Sequence, residues 1–417
     1  MREDFIGYRC SVCGEEYEPK DILYTCPKDG GNLDVILDYR SIQAKTLTST
    51  ICGSREESLW RYLPLLPVSD PGGYETPLRA AGWTKTYRPI RLAEELGLEH
   101  LWIKDESRNP TASFKDRASA ILVARAQEIG AEVIVTASTG NAGAALAGMA
   151  AAVDREAVIF APKTAPPAKI AQLLVFGAKV ILVDGTYDEA FDLAVEASNK
   201  FGWYCRNTGY NPFTAEGKKT ASFEIWEQVL LKNSQLKAPL NVFVSVGDGN
   251  IISGLHKGFK DLLALGWIEE IPRLFGIQST GSSAIANAYF DKTEDIKAVS
   301  ATTLADSISV DLPRDGLRAL RAATQTGGAY IRVEDEDILK AIPELGKVGI
   351  FAEPAGATAY AGLQKALAEK IINPEDPVLV LNTGSGLKDV KAAATAVDEA
   401  PIIEPSMKAL ENYLKHE

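Results

Sequence analysis

Short apolar runs alternate with Ala-rich amphipathic stretches along most of this chain, which has 417 residues. The runs are rich in Val, Ile and Phe and predict strands; they lie at 101–104, 133–135, 157–160, 180–183, 242–246, 273–277, 329–333 and 378–381. Helices are predicted between them, at 116–129, 142–152, 168–176 and 188–200. Fully apolar strands that alternate with helices form parallel sheets covered on both faces, so the pattern predicts an α/β fold.

The same pattern divides the chain into three parts. Residues 1–45 are rich in turn residues and cysteine, and they predict a small zinc-ribbon-like β element. Residues 46–400 contain the alternating units and predict two open, mostly parallel sheets covered by helices, with a smaller lobe at about 100–205 and a larger lobe from the remainder. Residues 401–417 predict a tail with one amphipathic helix, at 405–415.

Composition and charge narrow the class of protein. With 46% hydrophobic and 24% charged residues, the chain is typical of a globular protein of two or three domains. Its net charge of -12 and the lack of a basic run argue against a nucleic-acid partner, because phosphate backbones bind clustered Lys and Arg. No apolar stretch is long enough to span a bilayer and no leader precedes the first domain, so we expect a cytoplasmic protein without a membrane partner.

The cysteines suggest a metal site near the N-terminus. The chain has 5 cysteines, an odd number that does not fit a disulfide scaffold. Cys10 and Cys13 form a Cys-x-x-Cys-Gly turn, and Cys26 begins a second turn in which Asp29 takes the place of a fourth cysteine. Three thiolates and one carboxylate can bind zinc, whereas a ribbon that has lost its metal would remain a small β-hairpin. Either way we expect a structural role.

A single lysine is the clearest candidate for chemistry. Lys115 follows the apolar run at 101–104 and lies at the start of the predicted helix, so we expect it at a strand-to-helix junction. Ligands of open parallel sheets bind outside the carboxyl ends of the strands, which is where this junction lies. A lysine there suits a covalent bond to a cofactor aldehyde, provided that its amine is partly neutral. The alternative is an ordinary solvated lysine.

Three Gly-rich turns each follow a predicted strand. The turn at 137–144 contains Asn141 and small residues, and it suits a carboxylate at a helix N-terminus. The turn at 245–254 suits a phosphate, and it lacks both a Walker sequence and the spacing of a dinucleotide fingerprint. The turn at 381–389 carries hydroxyl groups. A single such turn is usually a plain connection, but together with Lys115 they fit pyridoxal phosphate held as a Schiff base.

Several motifs in order along the chain carry a resemblance to a known family. They lie at 58–62, 109–117, 138–141, 211–212, 216–220, 247–251 and 383–389. With them the chain resembles the fold type II, or β-family, of pyridoxal-phosphate enzymes, and most closely the threonine synthases. The resemblance implies a tryptophan synthase β-like fold, pyridoxal 5'-phosphate as cofactor and a homodimer. It also implies the lyase reaction in which O-phosphohomoserine and water give threonine and phosphate.

The resemblance also implies roles for individual residues. Lys115 would form the Schiff base, Asn141 would bond the ring oxygen of the cofactor, and Thr383 would face its pyridine nitrogen. The residues expected to hold the cofactor's phosphate are Gly247, Asp248, Gly249, Asn250 and Ile251. Ser138 and Thr139 would help to seat the substrate carboxylate.

Four positions depart from the family pattern. Gly209 and Thr214 stand where the pattern has serine and arginine, Ser385 stands for a histidine, and Ala112 stands for a glycine. The first three leave the cations that would bind a substrate phosphate unassigned, and the candidates to replace them are Lys163, Lys169, Arg206, Lys218 and Arg314. Cysteate synthesis from O-phosphoserine and sulfite, a threonine or serine ammonia-lyase, and a non-catalytic binding protein of this fold remain as alternatives.

Overall fold

The computed structural model describes residues 2–21, 24–138, 140–165 and 167–415, and its strands form three sheets. The strands are β1 (Phe5–Cys10), β2 (Glu16–Tyr17), β3 (Leu33–Leu37), β4 (Thr86–Tyr87), β5 (Leu101–Asp105), β6 (Val133–Ala137), β7 (Glu156–Pro162), β8 (Lys179–Val183), β9 (Tyr204–Cys205), β10 (Asn241–Ser245), β11 (Arg273–Ser279), β12 (Tyr330–Val333) and β13 (Val378–Asn382). Each apolar run that predicted a strand overlaps one of them.

The two larger sheets are open and almost entirely parallel. One has 6 strands in the order β12-β11-β10-β13-β5-β4, and only β4 runs antiparallel to its neighbour. The other has 4 parallel strands in the order β8-β7-β6-β9. A small antiparallel sheet, β2-β1-β3, forms the N-terminal ribbon. The predicted α/β class with two parallel sheets is confirmed.

Helices cover the sheets and fill the connections between strands. They are α1 (Tyr39–Lys45), α2 (Thr48–Cys52), α3 (Ile90–Leu96), α4 (Lys115–Glu128), α5 (Asn141–Ala151), α6 (Pro167–Val175), α7 (Tyr187–Phe201), α8 (Phe213–Lys218), α9 (Thr220–Ile225), α10 (Asn250–Ala264), α11 (Ala284–Phe290), α12 (Gly316–Thr324), α13 (Asp335–Gly346), α14 (Pro354–Ala368), α15 (Val390–Thr395) and α16 (Met407–Leu414). Helix α4 lies in the core, since every residue from 116 to 126 is buried. None of the helices among the described residues is long and apolar enough to cross a membrane.

The lobe boundary differs from the expected one near residue 100. Strand β5 pairs with β13 of the larger sheet over its whole length, from Leu101 opposite Val378 to Asp105 opposite Asn382. The smaller sheet therefore begins at β6. This pairing joins segments that are far apart along the chain, so the local pattern could not reveal it. The tail helix α16 begins at Met407, two residues later than expected, because the Ser406 side chain caps it by accepting the N–H of Ala409.

Gly217 lets helix α8 pack directly on helix α4. A Cβ atom at this position would overlap the carbonyl oxygen of Arg117, which is backbone and cannot swing away. We expect Gly217→Ala to lower the free energy of unfolding by about 3 kcal/mol, as measured by urea denaturation. Gly346→Ala, at a helix position with nothing within 4 Å, is the control and should leave the stability unchanged or raise it by up to about 1 kcal/mol. Equal stabilities for the two variants would contradict the close contact.

Candidate active site

Lys115 lies where the loop after β5 meets the loop after β13. The backbone N–H of Phe114 donates to the carbonyl of Thr383 (2.9 Å), and the N–H of Ser385 donates to the carbonyl of Ala112 (3.1 Å). These bonds bring Thr383 beside the lysine-bearing loop, as the sequence predicted for a common site. Ala112 has a φ of 63°, in the left-handed region that favours glycine, which gives a physical reason for the glycine of the family pattern.

The amine of Lys115 is in an environment that favours its neutral form. Burial lowers the pKa of Lys115 below its usual value, and the positive charge of Arg206 lowers it further. The carboxylates of Glu353 and Asp248 act in the opposite direction without overcoming the effect of burial. A lysine with a lowered pKa can act as a nucleophile toward an aldehyde, which favours the Schiff-base interpretation of Lys115 over that of an ordinary solvated lysine.

Asn141 opens helix α5 and faces a carboxylate that the sequence did not assign to the site. Its Nδ2 donates to Glu353 Oε1 (2.7 Å) and, more weakly, to the Ser307 hydroxyl (3.4 Å). Glu353 precedes helix α14, where sequence reasoning suggests a capping carboxylate, but its side chain makes no capping hydrogen bond. Its backbone N–H donates instead to the carbonyl of Gly384 (3.1 Å), which ties it to the loop after β13.

Burial raises the pKa of Glu353 to about 7, although the charge of Lys115 acts to lower it. The carboxyl group is therefore close to half protonated at neutral pH. A raised folded-state pKa contributes stability that is present below the unfolded value of 4.5 and is lost as the pH rises through about 7. Glu353→Gln keeps an oxygen for Asn141 and removes the charge.

We therefore expect the stability of the wild type to fall, relative to that of Glu353→Gln, as the pH rises from 4.5 to about 7. Chemical denaturation of both proteins at each end of the window measures the difference. Parallel pH profiles would show that Glu353 titrates at its ordinary value.

The loop between β10 and α10 is built for an anion. Gly249 adopts a φ of 90° before the first helical residue, Asn250, and a Cβ atom on Gly247 would lie 2.8 Å from the Cα of Ile308. Asp248 turns its carboxylate to the backbone N–H of Arg314 (3.2 Å), and burial raises the pKa of this carboxyl. The loop thus offers backbone N–H groups at the N-terminus of a 15-residue helix, which attract a phosphate.

Two buried cations lie beside this loop. Lys218, at the end of α8, donates to Asn250 Oδ1 (2.7 Å) and is fully buried. Arg206, also buried, donates to the Thr208 hydroxyl (2.7 Å), while its Nη2 has no hydrogen-bond partner among the described residues. Burial lowers the pKa of Arg206 to about 10 and lowers the pKa of Lys218 well below its usual value, with Lys115 and Arg206 adding to the shift of Lys218.

Unpaired cations are costly to bury, so this cluster indicates the binding of an anion from outside the chain. Lys115 and the loop at 247–251 fit a phosphate-bearing aldehyde cofactor. The other three candidate cations behave differently, since each pairs with a carboxylate: Lys163 with Asp184, Lys169 with Asp306 and Arg314 with Asp188.

The positions that depart from the family pattern make local contacts. Gly209 has a φ of 71°, and a Cβ there would collide with Arg314, so no side chain fits. The hydroxyl of Thr214 donates to the carbonyl of Asn211 (2.7 Å), and the hydroxyl of Ser385 accepts the N–H of Leu387 (3.3 Å). These positions therefore do not supply a cation. Among the five candidate cations named from the sequence, Arg206 and Lys218 are the two that are buried.

Ser138 directly follows strand β6, and its hydroxyl accepts the N–H of Gly140 (3.2 Å). Gly140 and Asn141 line a cleft together with Ser307, Glu353 and other residues of both lobes. Thr139, predicted to bind substrate beside Ser138, lies outside the described residues. The individual roles assigned to these residues stay predictions.

A lysine with a lowered pKa at a strand end and a phosphate-sized loop at a helix N-terminus together define a site of the pyridoxal-phosphate type. Residues 77–384 match the model of a family described as pyridoxal-phosphate dependent enzyme, and the chain belongs to that family. The predicted cofactor, pyridoxal phosphate, is thereby confirmed.

The chain is similar to threonine synthases over nearly its full length. It is 39% identical to the threonine synthase of Methanocaldococcus jannaschii, over 98% of this chain and 99% of that protein. It is 35% identical to the threonine synthase of Methanosarcina acetivorans, over 96% and 97% of the two chains. The predicted resemblance to threonine synthases is thereby confirmed.

Solved structures of other enzymes share the fold. The processed form of threonine deaminase isoform 2 from Solanum lycopersicum superposes with a TM-score of 0.64 at 24% identity, covering 81% of this chain and 93% of that one. Maize serine racemase superposes with a TM-score of 0.62 at 20% identity, covering 80% and 93%. At these identities the likeness shows the fold alone, and it confirms the predicted fold type II architecture.

Proposed function

We propose that this enzyme is a threonine synthase that converts O-phosphohomoserine and water into threonine and phosphate. Its full-length similarity to threonine synthases supports the reaction class. The choice of a phosphorylated substrate rests on one observation, the unpaired Nη2 of buried Arg206 beside buried Lys218. A phosphorylated substrate brings an anion in addition to that of the cofactor, and these cations could bind it. Threonine and serine, the substrates of an ammonia-lyase, bring no second phosphate.

Residues on four loops would hold the cofactor. Lys115 would bind its aldehyde, the backbone from Gly247 to Ile251 its phosphate, Asn141 its ring oxygen and Thr383 its ring nitrogen. When bound, pyridoxal phosphate supplies an electron-withdrawing ring that acidifies the carbon–hydrogen bonds next to the substrate amine. A hydroxyl such as that of Thr383 does not force a neighbouring ring nitrogen to be protonated, unlike a carboxylate.

Lys115 would move the protons of the reaction. An amine with a lowered pKa can take the proton from the substrate α-carbon and then take a proton from the β-carbon. The bond between the γ-carbon and the ester oxygen breaks, and phosphate leaves with that oxygen. Water then adds its hydroxyl group to the β-carbon, the γ-carbon gains a proton to become the methyl group of threonine, and the α-carbon regains a proton.

Arg206 and Lys218 would bind the substrate phosphate and hold it as it leaves. Their charges are fully buried, so a phosphate that pairs with them is bound more strongly than at an exposed site. The carboxyl group of Glu353, which accepts a hydrogen bond from Asn141, would be partly protonated near pH 7. In that state it adds little negative charge to a site that must accept two phosphates.

Arg206→Gln tests the assignment of the substrate phosphate. We expect it to raise the KM for O-phosphohomoserine by about 10- to 150-fold with a smaller change in kcat, because a charged hydrogen bond is lost. Lys163→Gln, which removes an exposed cation, is the control and should change KM by less than about twofold. If Arg206→Gln instead weakens cofactor binding and leaves KM unchanged, Arg206 serves the phosphate of the cofactor.

A comparison of three substrates separates the alternatives. The cofactor-loaded protein is incubated with O-phosphohomoserine, with O-phosphoserine plus sulfite, and with threonine alone, and all products are quantified by mass spectrometry. We expect threonine and phosphate from the first mixture. Cysteate from the second, or 2-oxobutanoate and ammonia from the third, at a higher kcat/KM would overturn the proposal in favour of a cysteate synthase or an ammonia-lyase.

We also propose that the enzyme is a cytoplasmic homodimer. The resemblance to fold type II enzymes supports the dimer, and the acidic composition without a basic run supports the absence of nucleic-acid partners. Light scattering during gel filtration would give twice the chain mass of 44.9 kDa. A mass equal to that of one chain would contradict the dimer.

A further inference from the structure

We propose that Cys10, Cys13, Cys26 and Asp29 bind one zinc ion in a tetrahedral site that fixes the N-terminal ribbon to the catalytic region. One ligand atom from each residue lies within 4.8 Å of all the others. The site lies outside residues 77–384, which match the enzyme family, and it is independent of the proposed reaction. Cys10 and Cys26 are buried, whereas Cys13 and Asp29 are exposed and leave a path for the ion.

The distances between the ligand atoms are those of a tetrahedral site. Cys13 Sγ and Cys26 Sγ are 3.8 Å apart, and Cys10 Sγ lies 3.3 and 3.6 Å from the two oxygens of Asp29. With Zn–S of about 2.3 Å and Zn–O of about 2.0 Å, a tetrahedron places two sulfurs about 3.8 Å apart and a sulfur and an oxygen about 3.5 Å apart. A disulfide would need about 2.0 Å between the sulfurs.

The two turns that present the ligands have the same backbone structure. In the first, the N–H of Gly14 donates to the carbonyl of Cys10 (3.1 Å), and in the second the N–H of Gly30 donates to the carbonyl of Cys26 (2.8 Å). Both glycines are left-handed, with φ of 76° and 72°. Asp29 follows Cys26 by three residues, as Cys13 follows Cys10, so its carboxylate occupies the place of a fourth thiolate.

Hydrogen bonds to the sulfurs support ligation by thiolates. Cys10 Sγ accepts the backbone N–H groups of Val12 (3.3 Å) and Cys13 (3.5 Å), and the Tyr17 hydroxyl lies 3.0 Å from Cys26 Sγ. Donors of this kind stabilise a negatively charged sulfur, the form that binds a metal, and orient it toward the ion. Three thiolates favour zinc over magnesium or calcium, which prefer oxygen ligands.

The ribbon contacts the catalytic region through residues next to the metal ligands. The N–H of Ser11 donates to the carbonyl of Asn32 (2.9 Å), and the Asn32 side chain donates to the carbonyls of Gly209 and Arg314. Gly209 belongs to the loop after β9, and the backbone of Arg314 binds Asp248 in the phosphate loop. Fixing the ribbon with a metal would therefore hold two loops that border the active site.

Metal analysis of matched cysteine variants tests the site. The purified holoenzyme is washed free of loose metal, and zinc is quantified by inductively coupled plasma mass spectrometry. We expect one zinc per chain in the wild type and in Cys52→Ser, which removes an exposed cysteine away from the cluster, and loss of zinc in Cys13→Ser. A wild type that takes up no zinc, even when zinc is added, or a Cys13→Ser that keeps it, would overturn the proposal.

Two milder variants keep the test decisive if Cys13→Ser does not fold. Asp29→Cys completes a four-thiolate site and should release zinc to a chelator at least about tenfold more slowly than the wild type. Tyr17→Phe removes a hydrogen bond to a ligand and should weaken zinc binding by about 10- to 100-fold. Release rates and affinities equal to those of the wild type in both variants would overturn the assigned ligand set.

Hydrogen exchange tests the link to the active site without measuring activity. The N–H groups of Tyr210 and Asn211 both bond the carbonyl of Asn207, within the loop that Asn32 contacts. Removal of zinc should speed the exchange of these two amides by about tenfold, while the amides of the distant helix α13 stay unchanged. Unchanged exchange at 210 and 211 after zinc removal would show that the ribbon does not hold this loop.

Discussion

Lys115→Ala should lower kcat by at least about 1000-fold. The variant would lose both the amine proposed to bind the cofactor and the group proposed to move protons at the substrate carbons. General acid–base catalysis alone contributes about 100- to 10,000-fold. Burial and the charge of Arg206 lower the pKa of this amine and so keep it available as a nucleophile. Steady-state kinetics with cofactor in excess measures the loss.

The control is Lys179→Ala, which removes an exposed lysine of strand β8 and should keep kcat within about twofold. Borohydride reduction of the loaded wild type, followed by peptide mass spectrometry, should place the cofactor on Lys115 alone. A modification on Lys218, or a Lys115→Ala variant with more than about one tenth of wild-type activity, would contradict the assigned role.

Glu224→Gln should lower the free energy of unfolding by about 3–5 kcal/mol. Glu224 accepts from Arg117 Nη2 (2.7 Å) and pairs with Lys104 Nζ (2.7 Å), and all three side chains are fully buried. Burial opposes the charged form of Glu224, but Arg117 and Lys104 hold its pKa below the usual value. Removing the carboxylate takes away the ion-pair partner of Lys104 in the core, and an uncompensated buried charge lowers the free energy of unfolding.

Glu95→Gln provides the comparison, because Glu95 forms an exposed pair with Arg91 within helix α3. This variant should change stability by less than about 0.5 kcal/mol. Urea denaturation of both variants and the wild type gives the differences. A loss for Glu224→Gln that is as small as that for Glu95→Gln would mean that water or movement compensates the buried charge.

Glu224→Gln should also weaken the active site indirectly. Arg117 bridges Glu224 to Glu106, whose carboxylate accepts from the Asn109 side chain (2.8 Å) in the loop that precedes Lys115. The buried ion pairs therefore support the loop that carries Lys115. This arrangement gives the arginine two residues after Lys115 a structural role that its position in the motif alone did not reveal.

The strands, the helices and the strand-end loops could be predicted because their signals are local. An apolar run of β-branched residues forms the same strand wherever it pairs, and a Gly-rich turn between strand and helix leaves few alternatives. For this reason Lys115, Asn141 and the loop at 247–251 lie at the strand ends, as expected. The order of the strands is not local, so the membership of β5 in the larger sheet was missed.

The contacts of individual side chains could not be predicted for the same reason. Glu353 bonds Asn141 across 212 positions of sequence, and Arg117 bonds Glu224 across 107. A charged residue gives no sign in the sequence that it is buried, so Arg206 and Lys218 could not be separated from cations paired at the surface.

The central claim, that this enzyme makes threonine from O-phosphohomoserine, is tested most directly in water labelled with oxygen-18. Mass spectrometry of both products should show equal amounts of threonine and phosphate, with one label in the threonine hydroxyl and none in phosphate, because the carbon–oxygen bond is the one that breaks. Labelled phosphate with homoserine would reveal simple ester hydrolysis. Either that result, or no turnover by a protein that carries the cofactor on Lys115, would contradict the proposed function.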